Sequence, residues 1–179
     1  AGKSFTLLAL IDVNSKPLNI DKRETCMHGV YLCHRNTRRK STTTLLVVPH
    51  SIVKQWERYI SDHTNYTYFK INNIKTFDEF EHDDTLDIIL ISSTMYNYFV
   101  NYYPDIMFNR VIFDEADSIN ISNCEKPNTN FTWIVTSSIQ NILFPYGYYY
   151  MRTMIRTSPG SSLIPTRSFE RHYVNGVKR

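Results

Sequence analysis

The sequence predicts an α/β protein in which helices flank a mainly parallel β-sheet. The main observation is a repeated pattern, in which a short, β-branched apolar run is followed at once by a cluster of small polar or charged residues. Continuous apolar runs of this length are typical of strands buried on both faces, as in a parallel sheet covered by helices. The pattern occurs at residues 45–48, 88–91, 111–113 and 133–135.

Length and composition are those of one ordinary folded domain. The chain has 179 residues, of which 42% are apolar and 21% are charged. Its three cysteines are too few for a disulfide framework, which predicts a reducing compartment. No apolar run approaches the roughly 18 to 20 residues that cross a bilayer. We therefore expect a soluble, intracellular protein, in a host cytoplasm, nucleus or virion if its source is viral.

The first predicted element is an apolar helix that follows Gly2, Lys3 and Ser4. Gly-Lys-Ser is the last part of the phosphate-binding pattern GxxxxGK[ST], which lies between a strand and a helix. The first glycine and the strand are absent from this sequence, so an ordinary surface turn is the alternative for the tripeptide alone. If the tripeptide is a phosphate-binding loop, we expect the sequence to be a fragment that starts inside it.

Residues 12–43 are polar and basic and have no clear period, which predicts a long, partly ordered connection. Cys26, His28, Cys33 and His34 lie close together within this segment. Their spacing, CxHx4CH, matches none of the common structural zinc patterns. Zinc binding is therefore only the minor alternative for these four residues.

The second predicted unit is the strand at residues 45–48 with the helix that follows Ser51. Apolar residues then recur at helical spacing, at Ile52, Val53, Trp56, Tyr59 and Ile60. Trp56 and Trp133 are predicted as core residues rather than as platforms for nucleic-acid bases.

Each of the four predicted strands ends in a polar cluster. The clusters are Pro49-His50-Ser51, Ser92-Ser93-Thr94, Asp114-Glu115-Ala116-Asp117 and Thr136-Ser137-Ser138. In open α/β sheets, ligands bind beyond the carboxyl ends of the strands. We therefore expect the four clusters to meet at one edge of the sheet.

The Asp-Glu pair that closes the third strand has a specific chemical use. In P-loop ATPases, an aspartate at this position helps to hold Mg²⁺ and a neighbouring glutamate polarises the attacking water. An acidic turn is the alternative for an isolated pair. The tetrapeptide Asp-Glu-Ala-Asp after an apolar strand, 111 residues beyond Lys3, favours the ATPase interpretation.

The motifs "GKS", "LLVVPHSIVKQW", "IILISST", "VIFDEAD" and "WIVTSS" occur in this order. The set resembles motifs I, Ia, Ib, II and III of superfamily 2 helicases and translocases. Its residues most resemble those of Swi/Snf-like and large-DNA-virus members. The resemblance implies a RecA-like P-loop NTPase domain at residues 1–146. It also implies that the basic, Tyr- and Ser-rich tail at 147–179 leads toward a second RecA-like domain.

The resemblance assigns the nucleotide site to five residues. It implies that Gly2 presents its backbone N–H to the phosphates, that Lys3 neutralises them and that Ser4 ligates Mg²⁺. Asp114 would take the other metal position, and Glu115 would polarise the attacking water. Lys3 and Glu115 are thus the predicted catalytic residues, and ATP and Mg²⁺ are the implied cofactors.

The resemblance also implies coupling and nucleic-acid contacts. Asp117 would couple the ATP site to the next motif by hydrogen bonds to Thr136 or Ser138. This motif often reads Ser-Ala-Thr or Thr-Gly-Thr in the family, so Thr136-Ser137-Ser138 departs from it. The predicted contacts to a DNA or RNA backbone are Pro49, His50, Ser51, Ser92, Ser93 and Thr94. For His50, a local hydrogen bond at the start of the helix is the alternative.

Charge is unevenly distributed along the chain. Residues 1–40 and 147–179 each carry a net charge of +5, whereas residues 41–146 carry −7. Basic ends are consistent with a polyanionic partner, and solvated flanks are the alternative. The tyrosines within 146–150 either stack on bases or pack against the second domain.

The resulting hypothesis is an ATP-binding domain that couples ATP hydrolysis to movement on DNA or RNA, with no membrane partner. The segment that reads adenine and the second RecA-like domain with its arginine finger are absent from the sequence, so we expect weak ATP binding and slow or absent hydrolysis. The alternatives are another P-loop enzyme, such as a nucleotide kinase, and a degenerate, non-catalytic binding module. Frequent Asn, Ile and Tyr would suit an AT-rich genome, such as that of a large DNA virus.

Overall fold

The computed structural model describes residues 2–13, 22–27, 30–35, 39–81, 83 and 85–138, and within 22–40 and at residue 130 it describes only the backbone. The side chains of the four residues considered for zinc therefore lie outside the described part. So do the tail at 147–179 and the tyrosines within 146–150. In the described part, no helix has the length and apolar character that spanning a membrane requires.

The described residues form four helices and eight strands. The helices are α1 (Lys3–Val13), α2 (Val53–His63), α3 (Ile74–Asp78) and α4 (Tyr96–Tyr102). The strands are β1 (Lys22–Met27), β2 (Val30–Arg35), β3 (Arg39–Lys40), β4 (Thr44–Val48), β5 (Tyr68–Ile71), β6 (Ile88–Ser92), β7 (Ile106–Phe113) and β8 (Thr129–Ile134). Short 3-10 turns cover His50–Ile52 and Ala116–Ser118.

The main sheet is parallel throughout, in the order β8-β7-β4-β6-β5. Strand β3 precedes β4 along the same neighbour, β7. In the centre of the sheet, Leu45 lies opposite Ile89 on one side and Val111 on the other. This architecture confirms the predicted α/β class with a mainly parallel sheet.

The two faces of the sheet carry separate cores, because successive side chains of a strand point to opposite faces. Leu45, Ile89 and Val111 pack with Phe77 of α3 and Phe99 of α4. On the other face, the intervening strand residues pack against α1 and α2, and this core contains Leu7, Leu8, Ile11, Leu46, Trp56, Ile60, Leu90 and Ile112. The double cover explains why the central strands are apolar without alternation.

The segment between α1 and β4 differs from the predicted partly ordered connection. Strands β1 and β2 form an antiparallel two-stranded sheet, in which Lys22 lies opposite Arg35 and Met27 lies opposite Val30. Only two residues separate the strands, and one of them is Gly29. Polar residues occupy successive positions along β1, so the apolar alternation that identifies a half-buried strand is missing.

Strand β7 begins five residues before the predicted run at 111–113. The difference arises because Asn109 and Arg110 are polar, although both are buried. Arg110 Nη1 donates a hydrogen bond of 2.9 Å to the carbonyl oxygen of Leu10. The guanidinium thus satisfies a carbonyl near the end of α1, which allows a charged residue to lie within a buried strand.

Candidate active site

The ends of the central strands bring the polar clusters to one edge of the sheet. Backbone hydrogen bonds join neighbouring strand ends there, from Asp114 N to Val47 O at 3.0 Å and from Ser93 N to Val48 O at 2.8 Å. A further bond runs from Val135 N to Phe113 O at 2.8 Å. The convergence that the strand-end pattern predicts is therefore present in the fold.

Helix α1 begins at this edge, directly after Gly2. Gly2 has a φ of 102°, and a Cβ added there would meet no atom within 4 Å. The backbone conformation, and not a lack of space, is therefore what favours glycine at this position. The N-terminus of a helix carries a partial positive charge and unpaired N–H groups, which suit an anion.

Lys3 and Glu115 form an ion pair, with Nζ 2.5 Å from Oε1. Both side chains are about one-third exposed, at 32% and 31%. The hydroxyl of Ser137 donates to the other carboxylate oxygen of Glu115 at 3.4 Å. Glu115 itself has a φ of 51° and a ψ of 46°, in the left-handed region that side chains other than glycine rarely adopt. The turn after β7 thus holds the carboxylate of Glu115 toward α1.

Asp114 is buried, with 2% of its surface exposed. Trp56 Nε1–H donates to Asp114 Oδ2 at 2.9 Å, whereas Oδ1 has no hydrogen-bond partner within the described part of the chain. Burial raises the pKa of Asp114, and the hydrogen bond from Trp56 acts in the opposite direction. A buried acceptor without a partner is costly, so Oδ1 is available to a cation or its bound water.

A cavity of about 260 Å³ lies beside these residues. Ser4, Asp114 and Glu115 form part of its lining, together with Ser51 and Gln55 of the neighbouring unit. Its lining is therefore shared between the predicted phosphate and metal residues and the cluster that follows β4. Ser51, predicted as a nucleic-acid contact, thus lies beside the carboxylates.

The predicted metal residues fit Mg²⁺. The described residues include no group of three or more His, Cys, Asp or Glu side chains that could hold a metal ion. Mg²⁺ is usually held by one or two carboxylates plus waters and substrate phosphates, so it does not need such a group. Asp114, with one free buried oxygen, and the Ser4 hydroxyl on the same cavity are suitable donors for it.

The predicted coupling residues also come together. Thr136 Oγ1 donates a hydrogen bond to Asp117 Oδ1, and Ser138 N donates to Thr136 Oγ1 at 2.9 Å. Thr136 is thus the residue of the pair that contacts Asp117, and Ser138 is joined to Thr136 through its backbone. The coupling role of the three residues stays a prediction.

The six predicted nucleic-acid contacts differ in exposure. His50, Ser51 and Thr94 are exposed, whereas Pro49, Ser92 and Ser93 are buried. The hydroxyls of Ser92 and Thr94 are hydrogen-bonded to each other at 2.8 Å. Three of the six residues therefore present side-chain surface to a partner at this edge of the sheet.

Trp56 belongs to the site although the sequence pattern predicts it only as a core residue. Its predicted burial is observed, at 1% exposure, but its indole N–H also binds a predicted metal residue. A signal was available, because a buried tryptophan usually needs a hydrogen-bond partner for its N–H group. The partner depends on the packing of α2 against the end of β7, which the sequence does not specify.

Comparison with known proteins agrees with this geometry. The family model of the SNF2-related domain matches residues 1–139. No curated protein matches the chain. SNF2-related domains are typically ATP-hydrolysing motor domains of the helicase and translocase type, and they generally use ATP with Mg²⁺. Because the match covers most of the chain, and the sheet is the parallel α/β sheet of a RecA-like domain, the chain belongs to the SNF2-related domain family, as an N-terminal superfamily 2 domain of the Swi/Snf-like type.

Proposed function

We propose that the chain is the ATP-binding domain of a nucleic-acid-dependent ATPase, a helicase or translocase that couples ATP hydrolysis to movement on DNA or RNA. The observation that carries the proposal is the meeting of Lys3, Asp114 and Glu115 at the N-terminus of α1. Asp114 and Glu115 are 111 and 112 positions beyond Lys3 in the sequence. They lie near Lys3 because β7 ends beside α1, and both also line the cavity. Their chemistry is that of the phosphate, metal and water positions of a P-loop ATPase.

The phosphate groups of ATP would lie against the first turn of α1. Gly2 allows the backbone to approach the phosphates, and the N–H groups that begin the helix supply donors. Lys3 carries the positive charge for the β and γ phosphates. The Ser4 hydroxyl, on the same cavity, would hold the metal ion together with Asp114.

Mg²⁺ held by Ser4 and Asp114 would neutralise the negative charge that develops during phosphoryl transfer. The chain contributes the orientation of its ligands. Asp114 is fixed by its backbone bond to Val47 and its side-chain bond to Trp56, and Oδ1 is left free for the ion or its water. Its buried position strengthens any interaction with a cation, because the effective dielectric constant is lower there than in water.

Glu115 would orient the attacking water and accept a proton from it. In the structure described here, the carboxylate is paired with Lys3 instead. Phosphates offer the ammonium group of Lys3 a more highly charged partner, so we infer that ATP binding separates the pair. Glu115 then becomes available to water only when the nucleotide is in place.

Nucleic acid would meet the same edge of the sheet. His50, Ser51 and Thr94 are exposed there and present an imidazole and two hydroxyls. Such groups bind phosphate oxygens and read little base sequence, which suits a protein that moves along any sequence. Ser51 lines the cavity together with Asp114 and Glu115, which supports a nucleic-acid contact close to the predicted metal residues.

The proposal is tested by measuring ATP hydrolysis by the intact protein with and without double-stranded DNA, single-stranded DNA and RNA. We expect at least one of them to raise the rate about tenfold or more, and added salt to weaken the stimulation. Replacing both His50 and Thr94 with alanine should weaken the stimulation by nucleic acid at a fixed salt concentration. Ser61→Ala, a change of an exposed hydroxyl in the last turns of α2, is the matched control and should leave it unchanged. Hydrolysis that no nucleic acid stimulates, or phosphoryl transfer to a small acceptor, would contradict the proposal.

A further inference from the structure

The contact between Trp56 and Asp114 joins two elements that are far apart in sequence. Trp56 lies in the first turn of α2, and Asp114 follows the last residue of β7. The indole Nε1 is 2.9 Å from Asp114 Oδ2, and the two residues are 1% and 2% exposed. A hydrogen bond to an ionised carboxylate in such a buried place is stronger than one at the surface.

The indole ring has little freedom to move. It packs in the core between the sheet and α2 with Val53 and Ile60, and it makes an edge contact with Tyr59 at a centroid distance of 6.1 Å. A tryptophan N–H group can only donate, so it fixes whichever carboxylate oxygen it contacts. The indole therefore acts as a rigid donor aimed at Asp114.

The consequence is an asymmetric carboxylate. Oδ2 is occupied by the indole, and Oδ1 has no partner among the described residues, although Asp114 borders the cavity. Without the indole N–H group, both oxygens would lack a side-chain donor, and only the backbone N–H group of Glu115 would still hold the carboxylate, which could then rotate between several orientations. The backbone bond of Asp114 to Val47 would fix only the main chain.

We propose that Trp56 is a positioning residue, whose indole N–H fixes the carboxylate of Asp114 so that one oxygen is presented to Mg²⁺. This inference rests on the nucleotide site proposed above. Partners that orient a metal ligand typically change metal affinity or activity by about 10- to 100-fold when they are removed. Trp56 also lines the cavity, but the role proposed for it is exerted through Asp114.

The first test needs no nucleotide and uses the indole N–H signals of the chain in a ¹⁵N–¹H spectrum. The chain has two tryptophans, so Trp133→Phe assigns the signals. We expect the Trp56 signal to exchange slowly with deuterium, and Asp114→Ala to shift it and to speed its exchange. Asp114→Asn keeps an acceptor and should shift the signal less, which provides a reading if the alanine variant does not fold. An unchanged Trp56 signal in both variants would overturn the proposal.

The second test measures ATP binding by intact Trp56→Phe protein as Mg²⁺ is titrated. The Mg²⁺ concentration for half-maximal binding should rise about tenfold, while ATP affinity in the presence of a chelator stays unchanged. Trp133→Phe is the matched control and should leave both quantities unchanged. A merely structural role would lower the thermal stability and would not separate the two quantities, so an unaltered Mg²⁺ requirement would overturn the proposal.

The two tests separate this inference from the proposed function. If the unaltered intact protein shows no Mg²⁺-dependent ATP binding, the proposed function fails, and the magnesium role of Trp56 fails with it. The indole signals would still decide whether Trp56 fixes the carboxylate. If ATP binds with the expected Mg²⁺ dependence but Trp56→Phe leaves that dependence unchanged, only the inference about Trp56 fails.

Discussion

Lys3 and Glu115 form an ion pair of 2.5 Å although they stand 112 positions apart in the sequence. A second pair of the same kind joins Lys70 and Glu57 at 2.7 Å, with both side chains 30% exposed. The two pairs have nearly the same exposure, but only the first lies at the candidate active site. They can therefore separate the contribution of charge to stability from its contribution to nucleotide binding.

Lys3→Ala should reduce ATP affinity of the intact protein by at least about tenfold, because it removes the positive charge for the phosphates. Its effect on the free energy of unfolding should be small, about 0 to 1 kcal/mol, since the pair is partly exposed. Lys70→Ala should cost about as much stability and leave ATP affinity unchanged. Nucleotide titration and urea unfolding measure the two quantities, and equal affinity loss in both variants would exclude a specific role for Lys3.

The left-handed backbone of Glu115 predicts an unusual order of stability. In this conformation, steric strain destabilises a residue with a Cβ by about 1 to 2 kcal/mol. Glycine lowers the free energy of unfolding by about 0.4 to 1 kcal/mol, because its unfolded state has more conformational freedom. Glu115→Gly should therefore be more stable than Glu115→Ala by about 0.5 to 1 kcal/mol, and both variants lose the pair with Lys3. At Ser61, which is helical and exposed, alanine should be more stable than glycine by about 1 kcal/mol. Chemical unfolding of the four variants checks the prediction, and it would be wrong if alanine were the more stable residue at both positions.

Asp114→Asn should raise the thermal stability of the nucleotide-free chain at neutral pH by a few degrees. The change removes a buried charge with an unpaired oxygen and keeps an acceptor for Trp56. Asp105→Asn, an exposed control, should change the unfolding temperature little. An unfolding temperature of Asp114→Asn at or below that of the unaltered chain at pH 7 would show that the charge of Asp114 does not destabilise the folded chain.

The gain from Asp114→Asn should depend on pH in a defined direction. Burial raises the pKa of Asp114, so the folded chain keeps this proton to a higher pH than the unfolded chain, in which the pKa of aspartate is about 3.9. The contribution of the protonated carboxyl to stability is full below about pH 4 and is lost as the pH rises through the raised pKa. The difference between the two proteins should therefore shrink on acidification. Calorimetry between about pH 4 and pH 8 measures it.

Cys124 should resist alkylation in the folded chain. It is 1% exposed, and burial raises the pKa of its thiol to about 12, so the reactive thiolate is scarce at pH 8. Iodoacetamide treatment followed by peptide mass spectrometry should show modification of Cys124 only in denaturing urea. A cysteine introduced by Ser122→Cys, at an exposed position two residues away, should react readily in the folded chain. Equal rates for Cys124 with and without urea would contradict the burial described here.

Much of the fold follows from local sequence signals, because the central strands are buried on both faces and their apolar runs are continuous. Polar residues inside a strand interrupt the apolar run, as Asn109 and Arg110 do in β7. The pairing of β1 with β2 is not predicted for a similar reason, since three of the six residues of β1 are charged. The burial of Asn109 and Arg110 depends on partners from other elements, which a short sequence window does not contain.

For the candidate site, too, the sequence predicts one part of the arrangement and does not predict another. The strand-end rule predicts that Asp114, Glu115 and Thr136 share an edge, because parallel strands end on the same side. It does not predict which side chains touch. The bond from Trp56 to Asp114 and the unpaired Oδ1 depend on the distance between α2 and β7, which is set by packing on that face of the sheet.

The proposed hydrolysis of ATP at this edge of the sheet depends on Glu115, so the decisive variant is Glu115→Gln in the intact protein. We expect its ATP affinity to stay close to that of the unaltered protein, while nucleic-acid-stimulated turnover falls by about 100-fold or more, because the proton acceptor for the attacking water is lost. Glu57→Gln, which removes the carboxylate of the matched surface pair, should leave turnover unchanged. Turnover by Glu115→Gln at the rate of the unaltered protein would contradict a catalytic role for this carboxylate.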